Sequence, residues 1–81
     1  MSEASRLRWQ CRRGMRELDV LLTRYLDDGY SLATDGQKAA FRKLLALPDP
    51  ELNAYLLGGA RPADEELQDA VSRILLRADS E

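Results

Sequence analysis

Apolar residues recur at Met15, Leu18, Leu22, Tyr25 and Leu26, with Leu21 alongside. This i, i+3, i+4 spacing predicts a helix that buries one face, with Gly29 as its stop. Upstream, Gly14 marks a break from a short turn of helix around residues 6–12. Thr34 and Gln37 have the spacing of a capping box, and Ala40, Phe41, Leu44 and Leu45 form the apolar face of the helix that follows. Pro48 ends that helix, because proline donates no hydrogen bond and restricts the residue before it. Asp49-Pro50 then reads as N-cap and first helical position of a short helix that buries Leu52, Tyr55 and Leu56 and closes at Gly58-Gly59. After Pro62, Leu67, Val71, Ile74 and Leu75 form a last stripe. Asp64, Glu65 and Glu66 sit at its positive end, with Arg73 and Arg77 towards its negative end. No stretch alternates like a strand and nothing repeats. The expectation is an all-α fold, a small single-domain bundle of about five helices over residues 6–78, with a flexible tail at 1–5 and another at 79–81.

The chain has 81 residues, which limits it to one domain with a modest core and few side chains to devote to a deep pocket. A self-contained enzyme is disfavoured on that ground. The net charge is −2, but residues 1–17 carry +3 and residues 18–81 carry −5. A local basic patch therefore sits on an acidic body, which argues against a nucleic-acid binder. The single cysteine, Cys11, cannot form an intramolecular disulfide, and there is no histidine. The commonest general base and zinc ligand are therefore missing. No apolar run approaches the ~20 residues of a membrane span, and Met1–Ser5 lack a signal peptide's apolar core. The expected setting is the cytosol, without membrane insertion.

The charge concentrates in Arg12-Arg13-Gly14-Met15-Arg16-Glu17. On one continuous helix Arg13 and Glu17 would share a face. Read structurally, they form an exposed ion pair worth only about 0–1 kcal/mol, in the less favourable order. Read functionally, three mutually repelling arginines are offered to a partner, and the residues alone leave both readings open. Gly14 is either a helix boundary or a point of close backbone approach. Trp9 is read first as a core anchor and second as an interface anchor. Cys11 is read as a small buried hydrophobe, and Tyr25, Phe41 and Tyr55 as core. Asp27-Asp28 and Asp64-Glu65-Glu66 lack the interleaving of a calcium loop, so no metal site is expected. No phosphate-cradling glycine loop, Cys-x-x-Cys pair or Ser-His-Asp set is present. No catalytic or cofactor-binding residue is assigned.

The segment Trp9-Gln10-Cys11-Arg12-Arg13-Gly14-Met15-Arg16-Glu17-Leu18-Asp19 resembles the Arg-Gly-x-x-Glu region of the SdhE family, the succinate dehydrogenase flavinylation (assembly) factors. The resemblance continues through Phe41–Leu45, Asp49–Leu52, Tyr55-Leu56 and Pro62–Asp64, and covers roughly residues 6–77. Members often carry tryptophan where this chain has Tyr55, and some carry histidine where it has Arg8. The resemblance implies a bundle of about five helices and a chaperone-like factor with no catalytic site. Its implied partner is the flavoprotein subunit of succinate dehydrogenase, and often that of fumarate reductase. FAD and the histidine that receives it belong to that partner. By resemblance Arg13, Gly14 and Glu17 meet the flavoprotein, and Arg12, Arg16 and Trp9 flank them in the expected partner-binding set. The factor is expected to act as a monomer. Two rivals are weaker. An acyl carrier protein needs an attachment serine, and only Tyr30-Ser31-Leu32 approaches that context. A helix-turn-helix DNA binder would have to overcome the acidic body.

Overall fold

A computed structural model describes residues 2–79, and its helices follow the apolar stripes. They are α1 (Glu3–Gln10), α2 (Arg16–Asp28), α3 (Asp35–Leu45), α4 (Asp49–Leu56) and α5 (Glu65–Asp79), with a 3-10 turn over Tyr30–Leu32 between α2 and α3. No strand occurs among the described residues, so the fold is the expected all-α domain.

Helix α1 begins earlier than the predicted turn at residues 6–12. The Ser2 side chain accepts from the Ser5 N–H at 3.2 Å and starts the helix at Glu3. The Glu3 carboxylate accepts from the Tyr30 hydroxyl and lies 3.6 Å from Nη1 of Arg42, which ties the head of α1 to the 3-10 turn and α3. Helix therefore reaches into the stretch read as a tail at 1–5, while Met1, Ser80 and Glu81 lie outside the described residues. Among the described residues of this segment, Leu7 and Cys11, one turn apart, enter the core. Trp9 sits about 200° around the helix from Leu7 at ~100° per residue. It is accordingly 72% exposed, which overturns its reading as a core residue.

Helix α2 buries Leu18, Leu22, Tyr25 and Leu26 as its stripe requires, with Leu21 partly covered. Met15 falls outside the helix as its N-cap and is exposed. Gly29 ends α2 with an ordinary negative φ of −116°. Glycine is needed there for space, since a Cβ would come within 2.9 Å of the Tyr25 ring. The capping box at α3 forms as predicted. Thr34 Oγ1 accepts from the Gln37 N–H at 3.1 Å, and Gln37 Oε1 accepts from the Thr34 N–H at 2.9 Å.

Helix α4 starts one residue earlier than expected. Pro48 is the N-cap, Asp49 is the first helical residue and Pro50 the second, and no side chain caps the helix. The Asp49 carboxylate is instead engaged by Arg13. Gly59, at φ +77°, turns the chain after α4, and the Ala60 N–H donates to the Ala54 carbonyl at 2.9 Å. Asp64 stands just ahead of α5 and accepts from the Glu66 N–H at 2.8 Å. Its other carboxylate oxygen pairs with Lys43. The lysine, then the backbone N–H, hold this carboxyl below its ordinary range.

The core gathers around α2. Helix α5 packs against both α2 and α3, and α1, α4 and the 3-10 turn also contact α2. Phe41 of α3 is fully buried between two tyrosines, with ring centroids 5.0 Å from Tyr25 and 5.6 Å from Tyr30. Leu52 and Leu56 of α4, and Leu67, Val71 and Ile74 of α5, complete it, while Tyr55 and Leu75 pack at its edge. A Leu or Phe buried this fully contributes about 1.5–3 kcal/mol each. Because so small a domain has a narrow margin, a single cap is expected to register. Thr34→Ala should lower the unfolding free energy by about 1 kcal/mol with an unchanged slope in urea titration followed by circular dichroism.

Candidate partner-binding site

The arginine-rich segment lies at the head of α2, where the chain leaves α1 and turns into the next helix. Cys11 anchors this turn. It is fully buried, and its N–H closes α1 by donating to Leu7 at 3.0 Å and Arg8 at 3.2 Å. Burial pushes its thiol up to about 11, and Arg13 and Arg8 oppose the shift without cancelling it. The thiol is therefore a packed, protonated group at neutral pH, as read from the sequence, and not a nucleophile.

Gly14 follows with φ +78° and is exposed. Nothing lies within 4 Å of where its Cβ would be. Glycine is thus set here by the left-handed backbone, which costs an L-residue roughly 1–2 kcal/mol. It is not set by close packing within the molecule. The same geometry leaves a bare, open backbone at the tip of the turn. Arg13 and Glu17 consequently do not share a helical face, since Arg13 to Met15 precede α2 and Glu17 lies in its first turn.

Arg13 turns inward, with its side chain 17% exposed. The guanidinium donates to the carbonyl of Leu45, to that of Leu47 at 3.4 Å, and to Asp49 Oδ1 at 3.3 Å. Leu45 is the last residue of α3, so Arg13 supplies a cation and donors to carbonyls that the helix end leaves without partners. Its backbone N–H donates to Asp19 Oδ1 at 2.7 Å, which closes the turn around Gly14 from the α2 side. Nε of Arg13 is buried without a hydrogen-bond partner among the described residues. Of the six residues singled out by the sequence, Arg13 is thus the one built into the fold. Trp9, Arg12, Gly14, Arg16 and Glu17 are exposed around it.

Two residues that the sequence reading left aside join this surface. Val20 is 50% exposed on α2, and Leu57 is 41% exposed just past α4. Together with Arg16, Glu17 and Leu21 they line a shallow hollow of about 520 Å³. A second hollow, of about 640 Å³, adjoins it at Val20 and is lined by Arg8, Arg12 and Arg24 together with Asp19, Thr23, Asp27 and Asp28. Arg8 pairs with Asp27 across its edge. Val20 was legible in principle, since it lies about 200° around α2 from Leu18 and so must face outward. Leu57 was not, because only the packing of α4 on α2 brings it alongside. The surface combines two apolar side chains, a bare backbone turn and charges of both signs, which suits protein recognition more than catalysis.

Elsewhere, Ser31 of the acyl-carrier-like triplet lies in the 3-10 turn, not at the head of an α-helix. Among the described residues, no three His, Cys, Asp or Glu side chains group as metal ligands, and no helix is long and apolar enough to cross a membrane.

Two outcomes follow from this geometry. Gly14→Ala should cost about 1 kcal/mol of stability although it removes no contact, and Gly14→Asn should cost less, as read from urea midpoints. The Cys11 thiol should resist a disulfide reagent at pH 8 in the native protein and react once the chain unfolds. Its folded value of about 11 lies above the ordinary 9.0. The unfolded chain therefore loses the proton first, and stability should fall as pH rises between 9 and 11.

Comparison with known proteins agrees with the helical geometry and the motif. The family model described as "Flavinator of succinate dehydrogenase" matches residues 5–78. A protein of Idiomarina loihiensis named FAD assembly factor SdhE is 43% identical over 77 residues, covering 95% of this chain and 86% of the relative. Proteins of the same name from Pectobacterium atrosepticum and Coxiella burnetii are 41% and 39% identical, covering 90% and 88% of this chain and 83% and 87% of theirs. With the match spanning nearly its whole length, the chain belongs to the SdhE family of succinate dehydrogenase flavinators.

Proposed function

We propose that this chain binds the flavoprotein subunit of succinate dehydrogenase in the bacterial cytoplasm and promotes covalent attachment of FAD to it, acting as a monomer without a catalytic site of its own. The observation that carries the reading is the surface at the head of α2. There an exposed left-handed glycine turn stands between exposed Arg12 and exposed Arg16 and Glu17, with Trp9 exposed on α1 just before it, and α2 carries on to the apolar hollow at Val20 and Leu57. The flavoprotein of fumarate reductase is a second client of the same chemistry.

In this reading FAD and the residue that receives it both belong to the partner, and the chain contributes binding energy alone. A factor that binds one arrangement of a mobile flavoprotein more tightly than the others raises the population of that arrangement by its differential affinity. If the favoured arrangement holds the reacting groups together, the rate rises by preorganisation. Gly14 admits the partner backbone closely, since no side chain stands over the turn. Trp9 offers a large amphipathic ring of the kind that dominates interface energetics. Arg12, Arg16 and Glu17 supply charge-assisted hydrogen bonds and fix the register of docking.

Apo flavoprotein subunit mixed with FAD should acquire covalent flavin faster and more completely in the presence of this chain, read as in-gel fluorescence after denaturation. Gly14→Arg should abolish complex formation on gel filtration while the circular dichroism spectrum stays helical. Glu17→Ala should slow labelling by roughly tenfold, the effect of losing a well-placed interface contact. Equal labelling with and without the chain, and no complex on gel filtration, would refute the reading.

A further inference from the structure

Three features outside the exposed ring of the motif invite a role. The first is an apolar pair at the far end of α2, where Leu32 is 77% and Leu76 67% exposed beside Arg73 and Arg77. The second is the Glu3–Tyr30–Arg42 cluster. The third is the inward arginine of the motif, and it carries the argument furthest.

Arg13 joins three segments that are distant in the chain. Its guanidinium spans the α3–α4 connection through the carbonyls of Leu45 and Leu47 and through Asp49, 36 residues away. Its main chain is held by Asp19 at the start of α2. With Nη1 and Nη2 so occupied, Nε buried and its side chain 17% exposed, it has little guanidinium to offer a partner. What it controls instead is geometry. It fixes the turn that presents Gly14, and it fixes the head of α4, the helix whose far end delivers Leu57 to the hollow beside Arg16, Glu17 and Val20.

Resting on the flavoprotein reading above, we infer that Arg13 is a positioning residue of the docking surface and that it acts through Asp49, a residue outside the motif. The Arg13–Asp49 clamp sets the Gly14 turn and α4 in the relative placement that the client recognises. Asp49 is well suited to this. It occupies a helix start, yet it caps no backbone N–H and spends its carboxylate on Arg13. Its own side chain is 42% exposed against 17% for Arg13, so removing its carboxylate costs the fold less than removing the arginine. Losing it loosens the surface without unfolding the bundle.

The test is affinity for the apo flavoprotein subunit, measured by titration calorimetry at several salt concentrations, with melting temperatures recorded for every variant. The variants are Asp49→Asn, Asp49→Ala, Asp49→Glu, Arg13→Ala, the Arg13→Ala/Asp49→Ala double variant and Arg12→Ala. The expected result is that Asp49→Asn and Asp49→Ala weaken binding by roughly tenfold at nearly unchanged melting temperature, and that Asp49→Glu restores it. The double variant should bind no worse than Arg13→Ala alone, since both remove one clamp. Arg13→Ala should leave the salt dependence of affinity unchanged, whereas Arg12→Ala should make it shallower, because only the exposed arginine faces the client's charge. Wild-type affinity in both Asp49→Asn and Asp49→Ala, or a shallower salt dependence in Arg13→Ala, overturns the inference while leaving the flavoprotein reading intact. No binding by the wild-type chain overturns that reading and this inference with it.

Discussion

The stripe of Leu18, Leu22, Tyr25 and Leu26 on α2 is the surface that the other elements cover. Helix α5 packs against it, α1 and α4 also contact α2, and α3 reaches it through Phe41, whose ring lies tilted against Tyr25. In a chain of this size the burial of a few large side chains must offset most of the conformational entropy of folding. One helix shared by several partners is an economical way to do so. The arrangement also decides where function can reside. With one face of α2 committed to the core, its head, its outward face at Val20 and the turn that enters it remain available to a partner.

Much of this was legible in the residues. The stripes of α2, α3 and α5, the capping box at Thr34, the glycine turn after α4 and the buried Cys11 all follow from local rules of spacing and capping. The departures share one physical origin. Large aromatics are usually core, yet Leu7 and Cys11 fix the buried side of α1 and leave Trp9 outward. Asp49 was read as a helix cap because Asp-Pro commonly is one, yet a guanidinium from the other half of the chain claims its carboxylate. Arg13 and Glu17 would share a face on one continuous helix, yet the left-handed turn at Gly14 falls between them. Each turned on a contact or a chain direction set by tertiary packing, which a local pattern does not encode.

The same contrast explains why a short motif can be specific. Glycine at position 14 is demanded by backbone conformation, and the bare turn that results is also what a partner can approach most closely. Arg13 points inward and Glu17 is exposed, so under the proposed function one five-residue stretch supplies both the scaffold and the recognition chemistry of the surface.

The most direct test of this account is amide hydrogen exchange on the chain, alone and saturated with apo flavoprotein subunit. The account predicts that exchange slows on binding in two separate stretches, residues 9–20 around the Gly14 turn and residues 52–60 around Leu57. Most of α5 should remain unchanged. Protection confined to α5 and the 3-10 turn, with the head of α2 unaffected, would contradict it.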